Sequence, residues 1–218
     1  MPELPSVPPG GGALVSQDEA KAVQKLSDFG TTVVTEAGQL ARYAGRILGT
    51  VPEDAMGLVI GDPLHFVRTA IAAKYDEWIS RILRARNVSP QPVSPSLAIP
   101  LIRAAYDESR PELQELWAKL ISAAMDPARS NRVRRSFIDA VQRFDPLDAL
   151  VLKEIFALHG ANPMPSVYDY LTPRVNADRS ELDVSLLNLE SLRCVWKNPM
   201  GVWMIVPYGY QLMLVCST

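Results

Sequence analysis

PQPVSPSLAIPLIRAAYDESRPELQELWAKLISAAMDPARSNRVRRSFIDAVQRFDPLDAL, residues 90–150, decides the fold class. Pro90, Pro92 and Pro95 hold the chain out of helix and predict an extended linker over Pro90 to Ser96. Residues 96–107 then read as a helix, in which Pro100 has to fall in or near the first turn to be tolerated. Ser109-Arg110-Pro111-Glu112 has capping-box spacing with proline just inside the start. Leu113, Leu116, Trp117, Leu120, Ile121 and Ala124 follow in helical register until Asp126-Pro127 stops the helix, so Trp117 is expected in the core. Asp145-Pro146-Leu147-Asp148 opens another helix with Asp145 as its N-cap. Leu150, Leu152, Ile155, Phe156 and Leu158 carry that helix to His159-Gly160, where glycine is a natural stop. A run of capped helices with almost no catalytic chemistry points to a packing or interaction module.

Upstream, Ser16 caps a helical pattern in which Val23, Leu26, Val33, Val34, Ala37, Leu40, Ala41, Ala44 and Leu48 recur at helical spacing. The glycines and threonines near residue 30 make a break there plausible, and Val51-Pro52-Glu53-Asp54 reads as a turn or a new start. Asp62 as cap and Pro63 at the first position open a helix to about Arg86. Val67, Ile71, Tyr75, Trp78, Ile82 and Leu83 form its buried stripe; Lys74, Asp76, Glu77, Arg81, Arg84 and Arg86 make its wet face. Gly30, Gly38, Gly45, Gly49 and Gly57 would let these small-residue helices approach one another or a second copy closely. Charges at Glu36, Arg42, Arg46, Glu53, Asp54, Asp62 and Arg68 interrupt the apolar run, so no stretch of about 20 uncharged residues could span a bilayer.

Downstream come a short helix near Ser166 to Leu171 and a helix from a second capping box at Ser180-Glu181-Leu182-Asp183 to about Arg193. Cys194 to Trp196 and Val202 to Val206 flank Asn198-Pro199-Met200-Gly201 as a small hairpin, and PYGYQLMLVC, residues 207–216, supplies a closing helix. Three helices followed by a hairpin is the order of a winged helix. The fold class is therefore mainly α, a multi-helix bundle followed by a winged-helix-like C-terminal subdomain. The expected divisions are a disordered tail over 1–15, an N-terminal helical region over 16–89, a central helical region over 90–145 and the winged-helix-like part over 146–218.

In order, the segments LAIPLIRAAYDES, ELQELWAKLISAAMDP, SFIDAVQRFDPLDALVLKEI and LLNLESL resemble the Abi-alpha family of bacterial abortive-infection proteins. The likeness extends over roughly residues 55–218. It implies a helical protein of phage defence. LLNLESLRCV and VPYGYQLMLVC are similar to a C-terminal pattern of that family, a leucine-rich helix, a strand and a closing turn-helix. Arg193 stands where relatives often have a glycine.

Composition narrows the chemistry. The 218 residues are 48% hydrophobic and 21% charged with a net charge of −2, which can bury a core unaided and offers no global basic field for nucleic acid or anionic membrane. Cys194 and Cys216 lie in no CxxC setting and read as reduced thiols of a cytoplasmic protein. MPELPSVPPGGGALV lacks the basic start of a secretory signal. His65 and His159 have no local metal-ligand spacing, and Asp62 with His65 is better explained by capping than by a metal site. No nucleophile, phosphate-loop or dinucleotide motif appears. The expectation is thus a non-enzymatic protein with no catalytic residue, no cofactor and no metal.

One basic cluster remains, Arg129, Arg132, Arg134 and Arg135, with Arg143 placed on the following helix. Clustered guanidiniums can clamp phosphates or carboxylates, but no aromatic interleaves with them as base stacking would need. Intramolecular pairing with Asp139, Asp145 or Asp148 is the plainer expectation. Glu181, Asp183 and Glu190 on the third C-terminal helix would repel phosphates, so a nucleic-acid regulator is the second choice. The first is a defence protein acting through a protein partner or through self-association. Peripheral membrane disruption by the N-terminal helices is a weaker third.

Overall fold

The computed structural model describes residues 43–49, 65–160 and 165–217, with the backbone alone over 65–70. The expectations for the 1–15 tail, for the helix before residue 43, for the turn at Val51 to Asp54 and for Asp62 and Pro63 lie outside the described residues.

After a helical segment at 43–48 come α1 (His65–Ala85), α2 (Pro95–Tyr106), α3 (Pro111–Met125), a 3-10 turn (Ser130–Arg132), α4 (Arg135–Val141), α5 (Pro146–Ala157), α6 (Val167–Val175), α7 (Arg179–Ser191), β1 (Val195–Lys197), β2 (Trp203–Ile205) and α8 (Pro207–Cys216). The protein is mainly helical, with one antiparallel hairpin in which Trp196 faces Met204 and Val195 faces Ile205.

Helix α3 is the hub. Leu113, Leu116, Trp117, Leu120, Ile121, Ala124 and Met125 are all buried, and it packs against α1, α2, α5 and α8. A helix apolar on nearly every side must be surrounded, and Trp117, 1% exposed, is core as expected. Tyr75, Ile79 and Leu83 of α1 complete the interface with α3. The linker is extended and pinned at both sides: the Gln91 N–H donates to Met125 O at 2.9 Å and the Val93 N–H to Ile47 O at 2.8 Å. The ring of Tyr43, in the 43–48 segment, is stacked 6.4 Å from that of Tyr75 and tilted at 5.5 Å from that of Tyr106.

Several local expectations need correction. Helix α2 begins at Pro95, so Pro100 sits in the second turn rather than the first. A proline there has no N–H for the Ser96 carbonyl; Arg135 Nη1 donates to that oxygen instead, at 3.4 Å. Helix α3 is capped by Arg110 rather than Ser109, without a side-chain capping bond. The box on α7 starts at Asp178, two residues before the expected Ser180: Asp178 Oδ1 accepts the Ser180 and Glu181 N–H groups while Glu181 Oε2 accepts the Asp178 N–H. Both boxes have the three-residue spacing, but Asp178 has a glutamate at the third position, long enough to reach back to the cap N–H, whereas Asp183 is taken by the Tyr168 hydroxyl at 2.5 Å. Helix α6 runs on to Val175 through Pro173. Arg143 lies in the turn after α4, not on a helix. Arg86, assigned to the wet face of α1, has a side chain only 13% exposed.

The C-terminal part follows the expected order. Helices α5, α6 and α7 pack on one another, the hairpin follows, and α8 returns to α3 and α5. Buried Asp148 ties α5 to α7: its Oδ1 accepts from Ser185 Oγ at 2.6 Å and its Oδ2 from Asn188 Nδ2 at 2.6 Å. The same Oδ2 takes the Asp145 N–H at 2.8 Å, closing the cap of α5.

Candidate interaction surface

The structure divides the five arginines into three groups. Arg129 turns inward: Nη1 donates to Ser217 O at 2.7 Å, and Nε lies 3.9 Å from Asp126 Oδ2. Its partner Arg86 also donates to Ser217 O, through Nη2, and brings Nη1 to 3.8 Å from the same Asp126 oxygen. Burial first, and then the neighbouring Arg129, lower the Arg86 pKa, while Asp126 pulls the other way. Arg129 is thus part of a clasp on the Ser217 carbonyl.

Arg132, Arg134 and Arg135 are exposed around the start of α4. Arg143, exposed in the following turn, is separated from them by the length of that helix; its carbonyl accepts from Asn188 Nδ2 at 3.2 Å. The carboxylates expected to neutralise the arginines are differently engaged. Asp145 pairs with Arg110 at 3.0 Å, and Asp148 is buried in the α5–α7 network. Asp139 shares a cleft with Arg135, and among the described residues no ion pair joins Asp139 to an arginine.

That cleft, about 400 Å³ between α2 and α4, is lined by Pro95, Ser96, Ile99, Arg103, Arg135 and Asp139. Arg103 was missed in the sequence because it sits on another helix, and only tertiary packing brings it to Arg135. Two guanidiniums beside a half-exposed Ile99 suit a carboxylate-bearing protein segment, since bidentate arginine bonding selects planar anions and the isoleucine adds apolar contact.

Burial pushes the Cys194 and Cys216 thiols up to about 12, so both are protonated and weakly nucleophilic at neutral pH. His159 is exposed with its ring 4.7 Å from that of Tyr210. Among the described residues no three His, Cys, Asp or Glu side chains could hold a metal ion. The side chain of His65 lies outside those residues. Among them, too, no helix is long and apolar enough to cross a membrane.

A mainly helical bundle with a C-terminal hairpin and a closing helix, carrying exposed arginines at the start of α4, is the class of protein these features define. The chain belongs to the abortive infection alpha family, whose model matches residues 67–213. Membership points to abortive-infection defence. No curated protein and no solved structure matches the chain.

Proposed function

We propose that this is a non-enzymatic component of anti-phage defence that acts in the bacterial cytoplasm by binding a protein, either a partner or another copy of itself. The observation that supports contact rather than chemistry is the exposed group Arg132, Arg134 and Arg135 at the start of α4, with Arg135 and Arg103 lining the α2–α4 cleft and no ion pair to any of the four among the described residues. Solvated arginines are ordinary on a surface; two that line one cleft beside Ile99, with two more close by in sequence, offer a recognition patch. The winged-helix-like order of the C-terminal part favours a second reading, a nucleic-acid regulator, but Glu181, Asp183 and Glu190 on α7 would face phosphates where such a fold inserts its third helix.

Phage plating and host survival test the proposal, with native protein compared against an Arg132/Arg134/Arg135→Ala variant. Arg129 is left intact because its role in the clasp would confuse folding with contact. Native protein should lower phage yield while infected cells die, and the variant should lose that effect at unchanged expression. Unaltered plating across a broad phage panel would refute defence; full protection by the variant would refute the arginine patch.

A further inference from the structure

We infer that the exposed face of α7 and the outer face of the hairpin form the surface through which two copies of this chain associate. Among the described residues six large apolar side chains are exposed, and five of them, Val184 (71%), Leu187 (58%), Trp196 (48%), Met200 (85%) and Met204 (40%), fall within this one helix and hairpin. An amphipathic helix normally turns polar residues outward, and a two-stranded sheet with one buried face alternates apolar-in with polar-out. Both rules are broken here on adjoining elements.

The hairpin register makes the breach specific. Val195 and Trp203 are buried at 2% and 3%, fixing the inner face. Trp196 and Met204 are cross-strand partners, so both project from the opposite face. The outer face is preorganised. Asn198 Oδ1 accepts the Met200 N–H at 3.0 Å and the Val202 N–H at 2.9 Å, while Glu190 Oε1 takes the Lys197 N–H at 3.3 Å and joins α7 to β1. A rigid apolar face loses little conformational entropy on being covered.

Charge selects the occupant. From Arg179 to Met204 the charged residues are Arg179, Glu181, Asp183, Glu190, Arg193 and Lys197, three of each sign. A patch of net charge facing itself across a two-fold axis would repel; a balanced one does not. An antiparallel pairing of α7 about an axis through Leu187 lays Glu181 of one copy alongside Arg193 of the other. The same balance offers no field to draw nucleic acid or an anionic membrane. A standard interface covers about 800 Å² per partner, so the polar residues bordering the five side chains belong to it too.

This surface deepens the proposal that the protein acts by protein contact, and it rests on that reading. Sedimentation equilibrium of the full chain, from micromolar to hundred-micromolar concentration, tests it with Leu187→Glu, Trp196→Glu and, as a control at the α2–α4 cleft, Ile99→Glu. The native protein and Ile99→Glu should dimerise. The first two variants should keep native circular dichroism and associate about thirty-fold more weakly or worse, the effect of losing one interfacial hot spot. A native protein that stays monomeric throughout, or variants that dimerise like it, overturns the surface. Plating separates the two ideas: native protein that protects cells as a monomer sinks the surface and leaves defence standing, whereas a dimer dissolved by Leu187→Glu that never alters plating does the reverse.

Discussion

Gly209 shows how far one residue can depend on the fold around it. In the interior of a helix glycine is less favourable than alanine by about 0.5–1 kcal/mol, so Gly209→Ala on α8 would be stabilising on propensity alone. A Cβ at this position, however, would stand 2.2 Å from the Cys194 carbonyl oxygen and 2.8 Å from Cys194 Cα. Those atoms are backbone and cannot swing aside, so the helix has to move off the base of the hairpin. Overpacking of this kind costs about 1–3 kcal/mol, which outweighs the propensity gain. Urea denaturation should therefore show Gly209→Ala destabilised by about 1 kcal/mol net; a stabilised variant would mean that α8 does not lie this close to Cys194. Arg193 is the opposite case. It takes a left-handed φ of +58, and its N–H donates to Glu190 O at 2.9 Å while that of Cys194 donates to Leu189 O at 2.8 Å. This is a Schellman stop, which glycine usually fills. Where the family pattern often has a glycine after the leucine helix, Arg193 leaves the turn geometry open in the sequence; in the structure the arginine itself adopts the left-handed stop.

Between elements, the turn from α2 to α3 is set by a single carboxylate. Glu108 Oε1 accepts from the Arg110 N–H at 2.9 Å and from Nε at 2.9 Å, and Oε2 accepts from Nη2 at 3.0 Å. Arg110 then reaches Asp145 at 3.0 Å, joining the start of α3 to the start of α5. Burial alone would raise the Glu108 pKa, but the bonds from Arg110 prevail and hold it below the usual carboxylate range. A group whose folded pKa is depressed contributes stability that is fully present above its unfolded pKa and is lost as pH falls through the folded one. Acid unfolding should accordingly include a loss beginning below about pH 4. Glu108→Gln should be less stable than native by about 2 kcal/mol at neutral pH, where hydrogen bonds to charge are lost, and the gap should close toward pH 3. Parallel stability curves for the two proteins would remove the carboxylate from this role. Element positions were largely legible in the sequence: Pro111, Pro146 and Pro207 each stand at a helix start, because a proline's fixed φ and missing N–H suit that place best, with Pro100 and Pro173 inside helices as the exceptions. Caps were less so. Ser109 and Ser180 have the right chemistry, but whether a side chain reaches the first N–H groups depends on the direction in which the chain enters, and neighbouring acids compete. The cleft was only half legible, since Arg135 announces itself in a basic run whereas Arg103 looks like any helical arginine.

At the scale of the whole molecule, the least legible feature is the clasp that brings together the ends of α1 and α3 and the end of the described chain. Periodicity sends Arg86 and Arg129 to solvent because a charge with no local partner belongs there. What draws them in is Asp126, a stop signal by sequence, whose side chain is only 4% exposed. Its Oδ1 takes the Ala128 N–H at 2.9 Å, and its Oδ2 lies within 4 Å of both guanidiniums, at 3.8 and 3.9 Å. The two arginines in turn hold the carbonyl of Ser217. Removing this carboxylate leaves Arg86 largely buried beside a second positive charge with no counterion. Breaking a buried ion pair from one side costs about 3–5 kcal/mol, and the partial exposure of Arg129, 30%, places Asp126→Ala at about 3 kcal/mol on that scale. Urea denaturation should show a single transition at lower midpoint, and hydrogen exchange should speed up together at the ends of α1 and α3 and through α8, because one group couples them. Arg86→Met in the Asp126→Ala background should then recover part of the loss, since removing the second charge removes the penalty. Strictly additive losses in that cycle would show that Asp126 matters only as the end of α3, and that the distant elements are held by apolar packing alone.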